Sequence, residues 1–136
     1  MKIDDARPIW AQLVDEFRRR IVAGEWAPGA KVPSVRELAL ELGVNPNTVQ
    51  KALAEIDRLG LTATERTAGR FVTADEHAVA GGRTALAEAA ADRFVTEAQG
   101  IGMTVAEASQ MLSRRWALSA DASPEHPHEK TGRNEP

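Results

Sequence analysis

The 136-residue sequence contains no cysteine, which excludes disulfide bonds and thiolate metal sites. No apolar run approaches the ~20 residues needed to span a bilayer. The first five residues, Met1 to Asp5, lack the apolar core of a signal peptide. We therefore expect a cytoplasmic protein without membrane contact. With 43% hydrophobic residues, the chain can build one small core and a modest appendage.

The chain also has few residues suited to catalysis or to cofactor binding. It has three histidines, none in a predicted core, and no glycine loop that could hold a phosphate. Its carboxylates fall on predicted solvent faces. His126 and His128 could bind a metal together with Glu125 and Glu129, but a structural site needs more convergent ligands on a rigid frame. We predict a protein that is not an enzyme and has no cofactor or metal.

Positive charge is also not in excess, since the formal net charge is −3 and the isoelectric point is near 5.6. Residues 1–75 carry 11 basic and 11 acidic side chains. This neutral part can present a basic face to DNA only if five cations lie together: Lys31, Arg36, Lys51, Arg66 and Arg70. Four carboxylates must then lie elsewhere: Asp15, Glu41, Glu55 and Asp57. We expect weak non-specific affinity for nucleic acid.

The segment from Pro33 to Gly60 predicts two short amphipathic helices separated by a tight turn. The first helix has four apolar residues on one helical face: Val35, Leu38, Ala39 and Leu42. Ser34 is its predicted N-cap, with Glu37 completing a capping box, and Gly43 ends it. Such a pair must cross at a steep angle, which is typical of a helix-turn-helix.

The second helix begins at Asn45, the predicted N-cap, with Pro46 as its first residue. Its apolar face repeats the same spacing: Val49, Ala52, Leu53 and Ile56. Four polar side chains then lie outside, where a recognition helix meets base edges: Asn47, Thr48, Gln50 and Lys51. Amides can bind adenine in the major groove, threonine can contact a thymine methyl, and lysine suits a phosphate or a guanine.

Arg36, early in the preceding helix, is placed to contact the DNA backbone. The alternative is that Asn47 and Thr48 only cap the helix and that Lys51 is a solvated cation. The helix pair favours DNA contact because the motif supplies a structural context.

Upstream, the chain from Pro8 to Ala23 predicts a longer amphipathic helix. Its arginine triplet, residues 18–20, invites a nucleic-acid interpretation. A solvated helix face is favoured instead, because successive residues point about 100° apart and cannot form one patch.

Downstream, two short strands are predicted, from Leu61 to Glu65 and from Arg70 to Thr73. Three helices followed by a two-stranded ribbon make a winged helix-turn-helix. Arg66 and Arg70 flank the tip, which would let the wing reach phosphates or a minor groove. The alternative is a hairpin that only covers the core.

Residues 7–73 resemble the DNA-binding domain of the GntR family of bacterial transcriptional regulators. The resemblance is carried mainly by Lys31–Ala39 (KVPSVRELA), Gly43–Val49 (GVNPNTV) and Gly60-Leu61. The Asn45–Val49 run and the short C-terminal part look most similar to the YtrA-like subfamily.

The resemblance implies that Arg36 and residues 45–50 lie at the DNA and that the wing around Gly69 enters the minor groove. One departure concerns the wing itself. The family usually has a glycine where this chain has Thr67, which leaves less backbone freedom. Arg70, where the family often has threonine, would compensate as a phosphate contact.

The C-terminal part predicts two more helices, from Gly82 to Gln99 and from Thr104, in another capping box, to about Trp116. Two amphipathic helices cannot bury their apolar stripes alone, so they must pack on the winged domain or on a partner copy. A two-fold dimer of helical hairpins is the economical solution. Five residues are predicted to form the dimer interface: Leu86, Ala90, Phe94, Met111 and Leu112. About 45 residues cannot enclose a typical ligand pocket as a separate domain.

The sequence thus predicts a mostly α fold with a small β wing, in three parts. Residues 1–75 form the winged helix-turn-helix, 76–118 the two-helix dimerisation or regulatory segment, and 119–136 a disordered tail. The function indicated is a homodimeric repressor that binds a palindromic operator in double-stranded DNA, and the resemblance implies that it controls its own operon. The resemblance adds transporter genes as targets, and a small molecule or stress would release the DNA. The alternative is a winged-helix module that binds proteins.

Overall fold

The computed structural model describes residues 1–122, in which five helices and two strands follow one another. Their order along the chain is α1 (Ile9–Val22), α2 (Val35–Leu42), α3 (Pro46–Arg58), β1 (Thr62–Glu65), β2 (Gly69–Val72), α4 (Glu76–Gly100) and α5 (Val105–Ala122). The chain divides into two compact units, Met1–Asp92 and Arg93–Pro136. The predicted mostly α fold with a small β wing is confirmed. Within residues 1–122, no helix combines the length and apolar character needed to cross a membrane.

The core of the first unit lies between α1, α2 and α3. The largest side chains that are fully buried there are contributed by these helices and by the residue before β1: Leu13, Phe17, Leu38, Val49, Leu53, Ile56 and Leu61. The Phe17 ring stacks on Trp26, with ring centroids 5.3 Å apart. All four residues of the predicted apolar face of α3 are buried, so its opposite face is directed outward.

A leucine pair tests how much this core contributes to stability. Leu53 is 0% exposed, whereas Leu40 on α2 is 79% exposed. We expect Leu53→Ala to lower the free energy of unfolding by about 2–5 kcal/mol, because it removes packing and leaves a cavity. Leu40→Ala should change it by no more than about 0.5 kcal/mol. Urea titrations followed by circular dichroism measure both, and equal losses would show that the core is misplaced.

The predicted helix ends of the helix-turn-helix are confirmed. Ser34 Oγ accepts a hydrogen bond of 3.1 Å from the Glu37 N–H, which is one of the two bonds of the capping box. Gly43 ends α2 in the left-handed conformation, with φ +65°. Asn45 Oδ1 accepts a bond of 2.8 Å from the Asn47 N–H, and Pro46 is the first residue of α3.

The wing has a third backbone segment that the sequence did not predict. β1 and β2 pair antiparallel, with Thr62 opposite Val72 and Glu65 opposite Gly69. The chain before α2 lies along the other edge of β2. Val32 N–H donates to Arg70 O at 2.8 Å, and Val72 N–H donates to Ala30 O at 2.9 Å. The entry to α2 is therefore tied to the wing by backbone hydrogen bonds.

Helix α4 begins six residues before the predicted start at Gly82, so that boundary is wrong. Asp75 Oδ1 accepts a hydrogen bond of 2.9 Å from the His77 N–H and so starts the helix early. The helix then continues through Gly82, where the missing side chain matters. A Cβ at that position would lie 3.3 Å from Val22 Cγ1 and 3.5 Å from Leu61 Cδ1. The glycine permits close packing, not a helix end.

The second unit contains the end of α4, a turn and α5. Thr104 and Glu107 form a complete capping box, with bonds of 3.1 and 3.2 Å. The hydrogen bond from the Thr104 N–H holds the pKa of the Glu107 carboxyl below its usual value. Helix α5 continues to Ala122, beyond the predicted end at Trp116 and into the tail predicted to be disordered. Alanine and leucine in residues 117–122 favour this extension.

The rest of the predicted tail, including His126 and His128, lies outside the residues that the structure describes.

Candidate nucleic-acid interface

The N-terminal half of α3 presents a row of polar side chains on the surface of the first unit. Asn47, Gln50 and Lys51 are exposed, and Thr48 is half-buried. The buried residues of the same helix begin at Val49. Because the apolar face fixes the rotation of α3 about its axis, these polar side chains are directed away from the core. Asn45 acts as the N-cap, so its side-chain oxygen already has a partner in the protein.

Lys51 is held by an aromatic ring that the sequence did not link to it. Its Nζ lies 4.3 Å from the centroid of the Trp10 ring, within range of a cation–π interaction. Trp10 is half-buried at the start of α1. This contact limits the directions in which the Lys51 ammonium can approach a phosphate.

An open groove of about 660 Å³ separates the wing from the helix-turn-helix. It runs past Ser34 and Glu37 at the start of α2 and past Gln50 on α3. Its other side is formed by wing residues, among them Gly69 and Arg70. The fold therefore brings together three of the residues predicted to meet DNA. Arg36 and Arg66 are exposed but do not line this groove.

Gly69 is favoured by its backbone conformation, and it lies against the side chain of Lys31. Its φ is +108°, which side chains other than glycine rarely adopt. A Cβ there would also lie 2.8 Å from Lys31 Cε, because the lysine stem crosses the glycine. Lys31 thus lies at the wing, next to Gly69, and its ammonium is carried to the edge of the groove.

Arg70 does not point freely toward solvent. Its Nε lies 3.0 Å from Asp57 Oδ1 and its Nη2 lies 3.1 Å from Asp57 Oδ2. Asp57 therefore does not lie apart from the five cations, as an unbroken basic face would require, because the last turn of α3 faces β2. Arg70 is thus not available as a free cation of such a face. The phosphate contact of Arg70 stays a prediction.

The other three carboxylates expected to lie elsewhere each form an ion pair. Asp15 pairs with Arg7 at 2.7 Å and Glu41 with Arg20 at 2.8 Å. The third pair joins Glu55 to Arg58. Local pairing cancels these charges and leaves the sign of the groove to the residues that line it.

The arginine triplet of α1 is used mostly within the protein. Arg20 is not the solvated cation that the sequence predicted, since only 11% of its side chain is exposed. It lies 5.6 Å from the centre of the Trp26 ring, and the bond to Glu41 raises the pKa of its guanidinium. Arg19 binds both Glu16 and Glu25. These contacts support a structural role for the triplet.

Glu16 gives a pH test of these ion pairs. The hydrogen bond from Arg19 lowers the pKa of Glu16 below its usual 4.5. The pair then stabilises the fold above pH 4.5, and the effect is lost as the pH falls through the lower pKa of the folded state. We expect Glu16→Gln to cost about 1 kcal/mol at pH 7 and less at pH 3, where protonation of the carboxylate weakens the pair. Urea titrations at both values measure this, and a cost that does not change with pH would exclude the ion pair as its cause.

The helix pair α2 and α3, the outward polar row of α3 and the hydrogen-bonded wing together define a winged helix-turn-helix protein. The family model "Bacterial regulatory proteins, gntR family" matches residues 10–72. The chain is 35% identical over 106 residues to the HTH-type transcriptional regulator YhcF of Bacillus subtilis (strain 168), covering 78% of this chain and 88% of that protein. This chain belongs to the gntR family.

Other comparisons agree with this assignment. The chain is 41% identical over 66 residues to the HTH-type transcriptional repressor YtrA of Bacillus subtilis, covering 48% of this chain and 51% of that protein. Among solved structures, a GntR family transcriptional regulator from Listeria monocytogenes has a TM-score of 0.76 at 31% identity, covering 82% of this chain and 98% of that one. A transcriptional regulator from Oenococcus oeni has a TM-score of 0.66 at 27% identity, covering 85% and 97%.

Proposed function

We propose that this protein is a homodimeric transcriptional repressor that binds a palindromic operator in bacterial DNA and acts in the cytoplasm. The observation that carries the proposal is the exposed row formed by Asn47, Gln50 and Lys51 on a helix whose other face is buried. A helix presented in this way can enter the major groove without loss of core packing.

Within this proposal, each side chain has a role that follows from its chemistry. The amides of Asn47 and Gln50 bind base edges, and the methyl group of Thr48 contacts thymine. Arg36, Lys51 and Arg66 contact phosphates, which fix position without reading sequence. Asn45 contributes mainly by capping α3, and the wing around Gly69 enters the neighbouring minor groove.

Repression is supported by relatives that are named transcriptional repressors. They are YtrA of Bacillus subtilis and NagR of the same organism, which is 33% identical over 66 residues. The resemblance to the YtrA-like subfamily suggests that the regulated genes include the protein's own operon and transporter genes. A small molecule or a stress signal would then release the DNA.

Dimerisation is supported by apolar side chains that the isolated chain leaves in water. In the second unit, Val105 is 83% exposed, Leu112 50% and Trp116 80%. Their spacing of seven and four residues places them on one face of α5. A second copy that covers this face would remove its apolar surface from solvent.

Selection of bound fragments from the host's own DNA tests the proposal. The enriched fragment is then titrated by fluorescence anisotropy at several salt concentrations. We expect a palindromic sequence to be enriched and its affinity to fall steeply with salt, because binding releases counterions from phosphates. Failure to enrich any fragment, or affinity that does not change with salt, would instead favour a winged helix that binds proteins.

A further inference from the structure

Asp57, in the last turn of α3, contacts three side chains of the wing. Its carboxylate accepts hydrogen bonds from the hydroxyls of Thr62 and Thr64, the second at 3.2 Å. It also forms the two-pronged ion pair with Arg70. All three partners lie on β1 or β2, so one carboxylate joins the end of α3 to both strands.

The same helix carries Gln50, seven residues before Asp57. Residues seven apart on a helix share a face, so Gln50 and Asp57 lie on the side of α3 that is next to the wing. Gln50 and Arg70 both line the groove between the wing and the helix-turn-helix. The position of Arg70 therefore helps to set the width of that groove at the point where a base-reading side chain enters it.

The side chain of Arg70 is mostly buried, and its backbone is hydrogen-bonded to a neighbouring segment. Only 14% of its side chain is exposed, and 28% of that of Asp57. The carbonyl oxygen of Arg70 accepts the hydrogen bond from the Val32 N–H, and Arg70 lies opposite Thr64 in the pairing of β1 and β2. The Arg70 guanidinium is bound to the Asp57 carboxylate through both Nε and Nη2. It would have to break both hydrogen bonds before it could donate the same pair, the fork, to a phosphate. Arg66, at the exposed tip, is free of this constraint.

We infer that Asp57 is a positioning residue, which holds the wing at a fixed distance from α3 through Arg70 and so determines the affinity for DNA. Arg70 acts as a strut between α3 and the wing, and not as a phosphate contact. The inference rests on the proposed DNA-binding function. It predicts that loss of the negative charge of Asp57 lowers the affinity for DNA, although electrostatics alone would raise it. Removal of a negative charge near DNA raises affinity by electrostatics alone, whereas loss of the strut lowers it.

Affinity for the selected operator distinguishes the two. We expect Asp57→Asn to weaken binding about tenfold, as for the loss of a hydrogen-bonded charged partner. Glu55→Gln is the matched control, since it removes one negative charge from the same helix at a residue paired with Arg58. It should leave affinity unchanged or slightly higher. Arg70→Lys keeps the charge but loses the fork. It should weaken binding and also loosen the wing of the free protein, whereas loss of a phosphate contact alone would weaken binding and leave the wing of the free protein unchanged.

Amide hydrogen exchange in the free protein tests the strut without DNA. Residues 62–72 should exchange faster in Asp57→Asn and in Arg70→Lys than in Glu55→Gln, while the buried amides of α1 keep their protection. Wild-type affinity in Asp57→Asn or in Arg70→Lys, or unchanged exchange of residues 62–72, would overturn the inference. If the wild type bound no DNA, the proposed function would fail and exchange alone would decide whether the strut exists.

Discussion

Replacement of Asn47 or Gln50 by alanine is expected to reduce the preference for operator over random DNA by about tenfold or more, since a bidentate amide contributes about 1–3 kcal/mol of base discrimination. Both side chains are exposed and lie at the N-terminal end of α3, where its buried face fixes their direction. Neither substitution removes a buried group, so stability should change little. Anisotropy titrations against the operator and against a scrambled duplex measure the preference.

Lys51→Ala is the matched control for this experiment. It lies next to Gln50, is also exposed and carries the charge that suits a phosphate. We expect it to weaken binding to both duplexes by the same factor, because phosphate contacts carry no sequence information. Loss by one common factor in Asn47→Ala would remove its base-reading role. The Trp10 contact adds a second readout, since binding that draws Lys51 away from the ring should change tryptophan fluorescence.

The helix-turn-helix could be predicted from the sequence because its signals are local. Ser34, Gly43 and Asn45 each determine a helix end through atoms a few residues away, and the structure places every one of them as predicted. The buried faces of α2 and α3 follow equally from a period of 3.6 residues.

The sequence failed to predict contacts between side chains that are distant along the chain. The Asp57–Arg70 pair joins residues 13 apart, and no periodicity indicates that the end of α3 faces β2. The Lys51–Trp10 contact joins α3 to α1 across 41 positions. From the sequence, Asp57 is a negative charge that would oppose DNA binding, whereas in the structure it is the ion-pair partner of Arg70 in the wing.

Helix α4 shows a different kind of error. The sequence predicted that this helix begins near Gly82, whereas it begins at Glu76. The space beside Gly82, filled by Val22 and Leu61, gives that glycine a packing role that only the folded chain reveals. The helix start depends instead on Asp75, a cap that lies within the segment expected to belong to the winged domain.

Exposed apolar residues on α5 lead to the second large effect. We expect the double variant Leu112→Asp/Trp116→Asp to convert a species of twice the 14.7 kDa chain mass into one of the single mass. Both side chains are half or more exposed in one chain, so charges there cost little in the monomer but would be desolvated in a dimer. Light scattering after size exclusion measures the mass. Leu40→Asp is the control, because Leu40 is as exposed as Trp116 but belongs to the first unit.

The same double variant should bind a full palindrome about a hundredfold more weakly, while its affinity for a single half-site stays that of the wild type. A dimer holds its second winged domain close to the second half-site, so that the second contact is made at high effective concentration. The Asn47→Ala variant should instead lose affinity for the full palindrome and for the single half-site, because each half-site is read separately. If the double variant stayed at twice the chain mass, the face of α5 would not be the dimer contact. Leu86, Ala90, Phe94 and Met111 would then have to carry the interface without it.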